Sequence, residues 1–433
     1  MAAYASWGNI PHVDQQICRL GNRHAALPAS SDKKLLAYGK GRSYGDVCLN
    51  DGNIILPTCF LDKYICFDAD KGIIRCEAGV CLQDLLNTII PRGYFIPVTP
   101  GTKNVTIGGM IANDVHGKNH HLSGTFGRHV LQFELLRSNG DRLICSPTEN
   151  TNYYSATIGG LGLTGLITWV DIQLKPIRSS FIQEETIPFA DLHEFMRLTL
   201  ESDSQWEYTV AWIDSFARQP NIGQGVFFRG RHAESNMDKL FVVDKKPIHI
   251  PFNFPSWVLN SFSLMVFNRL YYSLNKKNHR LVPYDKFFYP LDGIGAWNRI
   301  YGKRGFYQYQ CVVPKDGAEH VIIELLDVCL KANAGSFLSV LKKFGSLLSP
   351  GMLSFPREGY TLALDFPNHG IKTIKMLDAL DDIVRRVGGA VYPAKDARMS
   401  SESFKQYYPM WETYSEFIDP CFSSSFWRRV TAE

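Results

Sequence analysis

Three glycine clusters carry most of the residues in this 433-residue chain that could do chemistry. The first reads Gly39-Lys-Gly41-Arg42-Ser43-Tyr44-Gly45-Asp46, and the second runs from Pro100-Gly101-Thr102 to Thr106-Ile-Gly108-Gly109. Glycine removes the side chain that would keep an anion away from backbone N–H groups, so both clusters suit a diphosphate, although either one alone is more often a simple turn. The third, Gly160-Leu-Gly162-Leu-Thr-Gly165, matches the GxGxxG dinucleotide fingerprint, with Glu184 and Glu185 about twenty residues beyond. That fingerprint requires a helix opening at its last glycine. Here Leu166 to Leu174 reads as a strand, which rejects a Rossmann site.

Beside the second cluster, the segment from Asn113 to His121 gathers His116, Lys118, His120 and His121. Adjacent His120 and His121 cannot easily point at one ion, so no metal site is expected. His116 could assist removal of a hydroxyl proton, because imidazole titrates near neutral pH, or it could shape its loop through a hydrogen bond. Both readings stay open.

The elements that must position these groups show in the hydrophobic pattern. Asn53 to Pro57, Gly72 to Val80 and Gly165 to Ile177 read as strands, and Leu82, Leu85, Leu86, Ile89 and Ile90 recur at helical spacing before Gly93. Around Ser138-Asn139-Gly140-Asp141, Asn-Gly predicts a tight hairpin with positive φ angles. Beyond Arg178 glycine clusters thin out and longer strands follow, notably Phe306 to Val313 and Tyr360 to Phe366. A helix capped by Asp316-Gly-Ala-Glu319 is expected there, and another over 371–387 ending at Gly388-Gly389. The whole reads as α+β, with no internal repeat.

Composition bounds the function. A formal net charge of +4 without a basic stripe argues against nucleic-acid binding. Ten scattered cysteines without a CxxC pair suggest a reducing compartment, and the N-terminus lacks the pattern of a secretory signal, so a cytoplasmic location is expected. No window reaches the ~20 apolar residues needed to cross a bilayer. The nearest, 252–272, is followed by Lys276, Lys277, His279 and Arg280 and reads either as a membrane-surface or lid segment or as an ordinary core helix.

In order, GKGRSYGD, PGTKNVTIGGMIANDVHGKNHH and IGGLGLTG resemble the FAD-binding half of the vanillyl-alcohol-oxidase type of flavoenzyme. FYPLDGIGAWNRIYG, GFYQYQCVVP, SFLSVLKKFG and YPAKDAR extend the resemblance, over nearly the whole chain, to the decaprenylphosphoryl-β-D-ribose 2′-oxidase family. It implies a two-lobed FAD-binding domain over 1–177, a substrate domain on an antiparallel sheet over 178–389, and a C-terminal segment, 390–433, that returns to the first domain.

The resemblance also assigns residues. FAD contacts fall on Gly41, Arg42, Ser43, Tyr44, Gly101, Thr102, Gly108, Gly109, His116, Gly117, Gly165 and Lys395, and substrate contacts on Gln310, Lys342 and Lys118. Lys395, His116 and Tyr44 become the catalytic candidates. A fixed ammonium at Lys395 would stabilise the negative charge that hydride transfer leaves near N1 and the C2 carbonyl of flavin. Some relatives attach flavin through a histidine where Arg42 stands; arginine cannot form that linkage, so FAD is expected to be noncovalent. Ala363 replaces a cysteine that covalent inhibitors attack in some members, so thiol-directed inhibition is not expected there.

The implied reaction is oxidation of the 2′-hydroxyl of a polyprenylphosphoryl-β-D-ribose to a 2′-keto sugar. A partner short-chain reductase would complete epimerisation to arabinose. The alternatives are a soluble sugar-alcohol or aldonolactone oxidase, and a flavin-binding subunit without turnover.

Overall fold

The computed structural model describes residues 4–29, 32–234, 240–242, 246–255 and 257–432, which leaves Ser256 of the apolar 252–272 stretch outside the described residues. In the first lobe, Gln16–Ile17, Ile54–Pro57 and Leu35–Tyr38 form a parallel three-stranded sheet in that order. Tyr64–Asp68, Ile73–Glu77, Leu166–Gln173, Val130–Leu136 and Arg142–Cys145 form an antiparallel five-stranded one. The helix Leu82–Ile89 packs beside it because Leu82, Leu85, Leu86 and Ile89 share one face and are fully buried. Gly93, at φ 81°, then ends that run in the left-handed conformation.

The second lobe is an antiparallel eight-stranded sheet in the order Asn278–Pro283, Phe181–Phe189, Gly225–His232, Tyr208–Ile213, Ser339–Phe344, Gly359–Pro367, Phe306–Val313 and Ala390–Val391. Alternation along its central strands separates two tasks. Leu341, Leu362, Leu364, Tyr309 and Cys311 enter the core with the helices Leu192–Ser202, Ala318–Lys331 and Ile371–Arg386. Val340, Lys342, Thr361, Ala363, Gln308 and Gln310 take the opposite face and line a cavity against the first lobe. Register sets Lys342 opposite Thr361 and places Ala363 between Val340 and Gln310.

The last segment serves both lobes. Val391 pairs with Cys311 in the large sheet, whereas Leu35 in the first lobe donates to the Cys421 carbonyl and accepts from the Ser423 N–H. Arg429 joins Asp46 of the first lobe to Asp396.

Two local expectations need correction, and a third point, left open between two readings, is narrowed. The Asn-Gly hairpin closes on the Leu136–Arg142 pair, and of its loop residues only Gly140, at φ 92°, is left-handed. Arg137 N–H bonds the Asp141 carbonyl and Gly140 N–H bonds the Arg137 carbonyl, so the loop is a longer one that ends on glycine. The helix expected from Asp316 begins at Ala318 behind a left-handed Gly317 and has no side-chain cap. The segment Ser261–Leu274 is helical but buries only Leu264 and Asn268, so it is no ordinary core helix.

Candidate active site

The glycine loops of the first lobe and the polar face of the large sheet enclose one cavity of about 580 Å³. Gly41 shows why the first loop needs glycine: at φ 60°, a Cβ would stand 2.0 Å from the Tyr38 hydroxyl and 2.6 Å from the Ala5 carbonyl. Gly101 has open space where its side chain would be, which leaves the Gly101 and Thr102 backbone accessible. Among the described residues no protein acceptor takes the N–H groups of Gly41, Arg42, Ser43, Gly101 or Thr102. Gly108 and Gly109 differ. Their N–H groups are bonded to the Ala78 carbonyl and the Thr106 hydroxyl, so these two glycines contribute close approach rather than free donors.

Asp292, from the second lobe, holds the second loop by accepting from the Thr102 hydroxyl at 2.6 Å and from Lys103 N–H at 2.8 Å. The Arg42 guanidinium lies 4.2 Å from the centre of the Trp7 ring and donates to the Asn104 carbonyl at 3.2 Å. Asn113 Oδ1, buried and without a partner, belongs to another wall residue of the same cavity. Unclaimed N–H groups, an orphaned amide oxygen and a cationic residue stacked on an aromatic ring are a donor and acceptor set that fits a flavin dinucleotide.

The loop around Tyr44 is where three distant segments meet. Tyr44 N–H donates to the Ala394 carbonyl at 2.9 Å and its own carbonyl accepts from Gly8 N–H at 3.1 Å. This brings Lys395 Nζ to 3.9 Å from the Tyr44 ring centre. Tyr44 itself is fixed edge-on against Phe306. Burial draws the Lys395 ammonium down from its ordinary range, and the nearby Asp365 carboxylate opposes that; burial pushes Asp365 up, opposed by Gln308 and by Lys395 in turn. Asp365 is fully buried and accepts from Gln308 Nε2 at 2.5 Å.

Across the cavity, His116 Nδ1 lies 3.2 Å from Lys342 Nζ, and His116 Nε2 lies 3.0 Å from the Gln310 side-chain amide. The Phe344 ring meets the imidazole edge-on at 4.8 Å. Burial, followed by the positive charge of Lys342, holds the imidazole well below its usual pKa, so it is neutral and has one N–H and one lone pair. The Gln310 amide nitrogen faces both His116 Nε2 and the Thr361 hydroxyl; with Lys342 donating to Nδ1, Nε2 carries the ring proton, and exchanging the two amide atoms of Gln310 gives that proton an oxygen acceptor. Burial, reinforced by the charges of Lys118 and Lys395, lowers Lys342 to about 7.

Every residue that the family resemblance assigned to cofactor, substrate or catalysis lines this cavity: Gly41, Arg42, Ser43, Tyr44, Gly101, Thr102, Gly108, Gly109, His116, Gly117, Lys118, Gly165, Gln310, Lys342 and Lys395. Lys118 does so with its ammonium committed to the Phe287 carbonyl. His120 Nδ1 instead accepts from Gly345 N–H, and His121 meets the Trp206 carbonyl, so the three histidines face different partners. Sequence reasoning missed Trp7, Asn113, Asp292, Gln308, Asp365 and Tyr392, whose hydroxyl donates to the Asn113 carbonyl at 2.7 Å. Four of them stand within motifs already singled out, Asn113 in PGTKNVTIGGMIANDVHGKNHH, Asp292 in FYPLDGIGAWNRIYG, Gln308 in GFYQYQCVVP and Tyr392 in YPAKDAR, whereas Trp7 and Asp365 lie outside them.

A family model for an FAD binding domain matches residues 24–146. The chain is 34% identical over 417 residues, 92% of its own length and 89% of the other's, to decaprenylphosphoryl-beta-D-ribose oxidase of Mycolicibacterium smegmatis. It is 24% identical over 91% of its length to L-gulonolactone oxidase of Bos taurus, covering 88% of that protein. To a putative D-arabinono-1,4-lactone oxidase of Neurospora crassa it is 26% identical over 48% of its length and 35% of the other's.

Proposed function

We propose, from the premise that the chain belongs to the decaprenylphosphoryl-beta-D-ribose oxidase family of FAD-dependent oxidoreductases, that its substrate is a polyprenylphosphoryl-β-D-ribose, oxidised at the 2′-hydroxyl to the 2′-keto sugar. The FAD binding domain and the likeness to decaprenylphosphoryl-beta-D-ribose oxidase support FAD-dependent sugar oxidation; the particular sugar and carbon are our reading. The observation that carries it is the single cavity joining unclaimed loop N–H groups to the hydrogen-bonded His116, Lys342 and Gln310.

FAD, when bound, supplies the two-electron acceptor for a hydride leaving the carbinol carbon. Gly41, Arg42, Ser43, Gly101 and Thr102 would hold its diphosphate through their backbone, and Asp292 would keep the second loop in place. Oxidation also requires that the hydroxyl lose a proton. His116 is poorly placed for this, because its lone pair accepts from Lys342 and its N–H faces Gln310. Lys342, lowered to about 7, takes the proton as its neutral amine while one of its own N–H bonds remains on His116 Nδ1. His116 thereby acts as a positioning residue for Lys342, and Gln310 orients both ring and sugar. Lys395 keeps a positive charge at the opposite wall beside Tyr44. In this reading a separate short-chain reductase restores an alcohol of inverted configuration and completes epimerisation to the arabinose form.

Anaerobic mixing with a prenylphosphoryl-β-D-ribose should bleach the oxidised flavin band and yield a keto sugar. Bleaching by free sugars or aldonolactones, with none by the prenylphosphoryl ribose, would transfer the assignment to a lactone or sugar-alcohol oxidase.

A further inference from the structure

The helix Ser261–Leu274 is turned the wrong way for a surface helix of a water-soluble protein. Its start is well defined, since the Asn260 side chain accepts from the Phe262 and Ser263 N–H groups at 2.9 and 3.0 Å. Its inward face holds Leu264 and a fully buried Asn268, whose amide donates to Asp214 Oδ1 at 2.9 Å and to the Ser336 carbonyl at 3.2 Å. Outward, Phe262, Val266, Leu270 and Leu274 recur every fourth residue and are 70%, 38%, 55% and 78% exposed. An ordinary amphipathic helix would put that stripe inside and the asparagine outside.

The exposed apolar area continues beyond the helix. Phe252, Trp257 and Ile248 are likewise exposed. Tyr271 of the same helix packs on Trp212 at 4.5 Å, and both line the cavity, as do His249 and the exposed Ile294. Tyr271 and Trp212 thus connect the exposed helix with the lining of the active-site cavity. A patch of this kind marks an interaction surface.

Charge selects its occupant. From Lys245 to Tyr284 the chain contains no aspartate or glutamate but has Lys245, Lys246, Arg269, Lys276, Lys277 and Arg280. Arg280 is bonded to Glu184, while Arg269, Lys276 and Lys277 are exposed. Two copies meeting through this face would bring like charges together, whereas an anionic lipid surface complements both the cations and the apolar stripe. None of the described helices is long and apolar enough to cross a membrane, so the contact would lie in the plane of the bilayer.

We propose that the helix Ser261–Leu274, with Trp257, Ile248, Lys276 and Lys277, docks the protein onto an anionic bilayer with the cavity rim at the membrane face. A polyprenyl-linked sugar then enters head first while its chain stays among the lipid tails; this last clause rests on the substrate reading above, and the docking does not.

The test is cosedimentation of the FAD-loaded protein with vesicles of phosphatidylcholine, with or without phosphatidylglycerol. Wild type should partition onto the anionic vesicles and be released by salt. Lys276→Ala with Lys277→Ala should weaken partitioning by about 30-fold, at about 1 kcal/mol per cation. Phe262→Ser with Leu270→Ser should abolish it. Neither double variant should alter the flavin spectrum or turnover of a short-prenyl, water-soluble substrate. Wild type left in the supernatant, or serine variants that partition like wild type, would overturn the docking. So would a wild-type dimer that the serine substitutions split in the absence of lipid, because that result assigns the face to a second copy. Vesicle binding without oxidation of any lipid-linked ribose would leave the docking supported and remove only the substrate assignment.

Discussion

Replacing Lys342 with methionine should stabilise the fold while abolishing most turnover, and the size of the first effect follows from the site. Burial, together with the charges of Lys118 and Lys395, brings Lys342 from 10.5 to about 7. At about 1.4 kcal/mol per pH unit, holding the ammonium there opposes folding by about 5 kcal/mol wherever both states keep the proton, which is below about pH 7. Between about pH 7 and 10.5 the unfolded chain binds the proton more tightly, so wild-type stability rises with pH and the handicap disappears above that window. Methionine keeps the length of the stem without the charge, but it gives up the hydrogen bond to His116 Nδ1, a loss of about 1 kcal/mol. Guanidinium unfolding of the FAD-loaded protein should therefore show a net gain of about 3–4 kcal/mol at pH 6.5, falling below about 1 kcal/mol at pH 9.5. Turnover should drop by about two to four orders of magnitude, the usual contribution of a positioned base. A loss of stability at pH 6.5, a gain that ignores pH, or turnover within about threefold of wild type would refute the reasoning.

Further outcomes follow from the same geometry. In wild type, turnover should climb as pH rises through about 7, because Lys342 must be neutral to accept a proton; a profile flat from pH 6 to 8 contradicts this assignment. Asp292→Ala releases the Thr102 hydroxyl and Lys103 N–H, and fluorescence titration should show FAD bound at least about tenfold more weakly, from the loss of roughly 1.5–3 kcal/mol. Gly41→Ala drives a Cβ into the Tyr38 hydroxyl at a left-handed φ, and should lower both thermal stability and flavin content, read from the melting curve and the ratio of visible to ultraviolet absorbance. Acid precipitation should leave the yellow colour in the supernatant, because Arg42 offers no covalent link to the flavin; a yellow pellet would contradict noncovalent binding.

Much of the architecture was legible in the chain because its signals are local. The strand over Phe306 to Val313 and the helix ending at Gly388-Gly389 both lie where alternation and helical periodicity place them. Leu166–Gln173 is a strand, as needed to dismiss the GxGxxG match, and Glu184 and Glu185 beyond it pair with Arg280 and Arg229 rather than facing a ribose. Details of turns and caps were less visible. The Asn-Gly dipeptide signalled a hairpin but not its loop length, and Asp316 resembles a cap although Gly317 does the work through its backbone. Such choices are separated by about 1 kcal/mol and are decided by packing around the turn.

By itself, the sequence determined which loops must be glycine-rich, which strands have one polar and one apolar face, and which family the motifs resemble, because each of these is written within a few residues. Tertiary structure alone decided the chemistry. His116 and Lys342 are 226 positions apart, His116 and Gln310 are 194 apart, and only the sheet register against the first lobe brings their atoms within hydrogen-bond distance. The same packing withdraws the Gly108 and Gly109 N–H groups from any ligand and occupies both nitrogens of His116, and it brings the buried Asp365 close enough for its charge to act on Lys395. Protonation depends on burial and on neighbouring charge, and both are properties of a folded neighbourhood that no single stretch of chain contains.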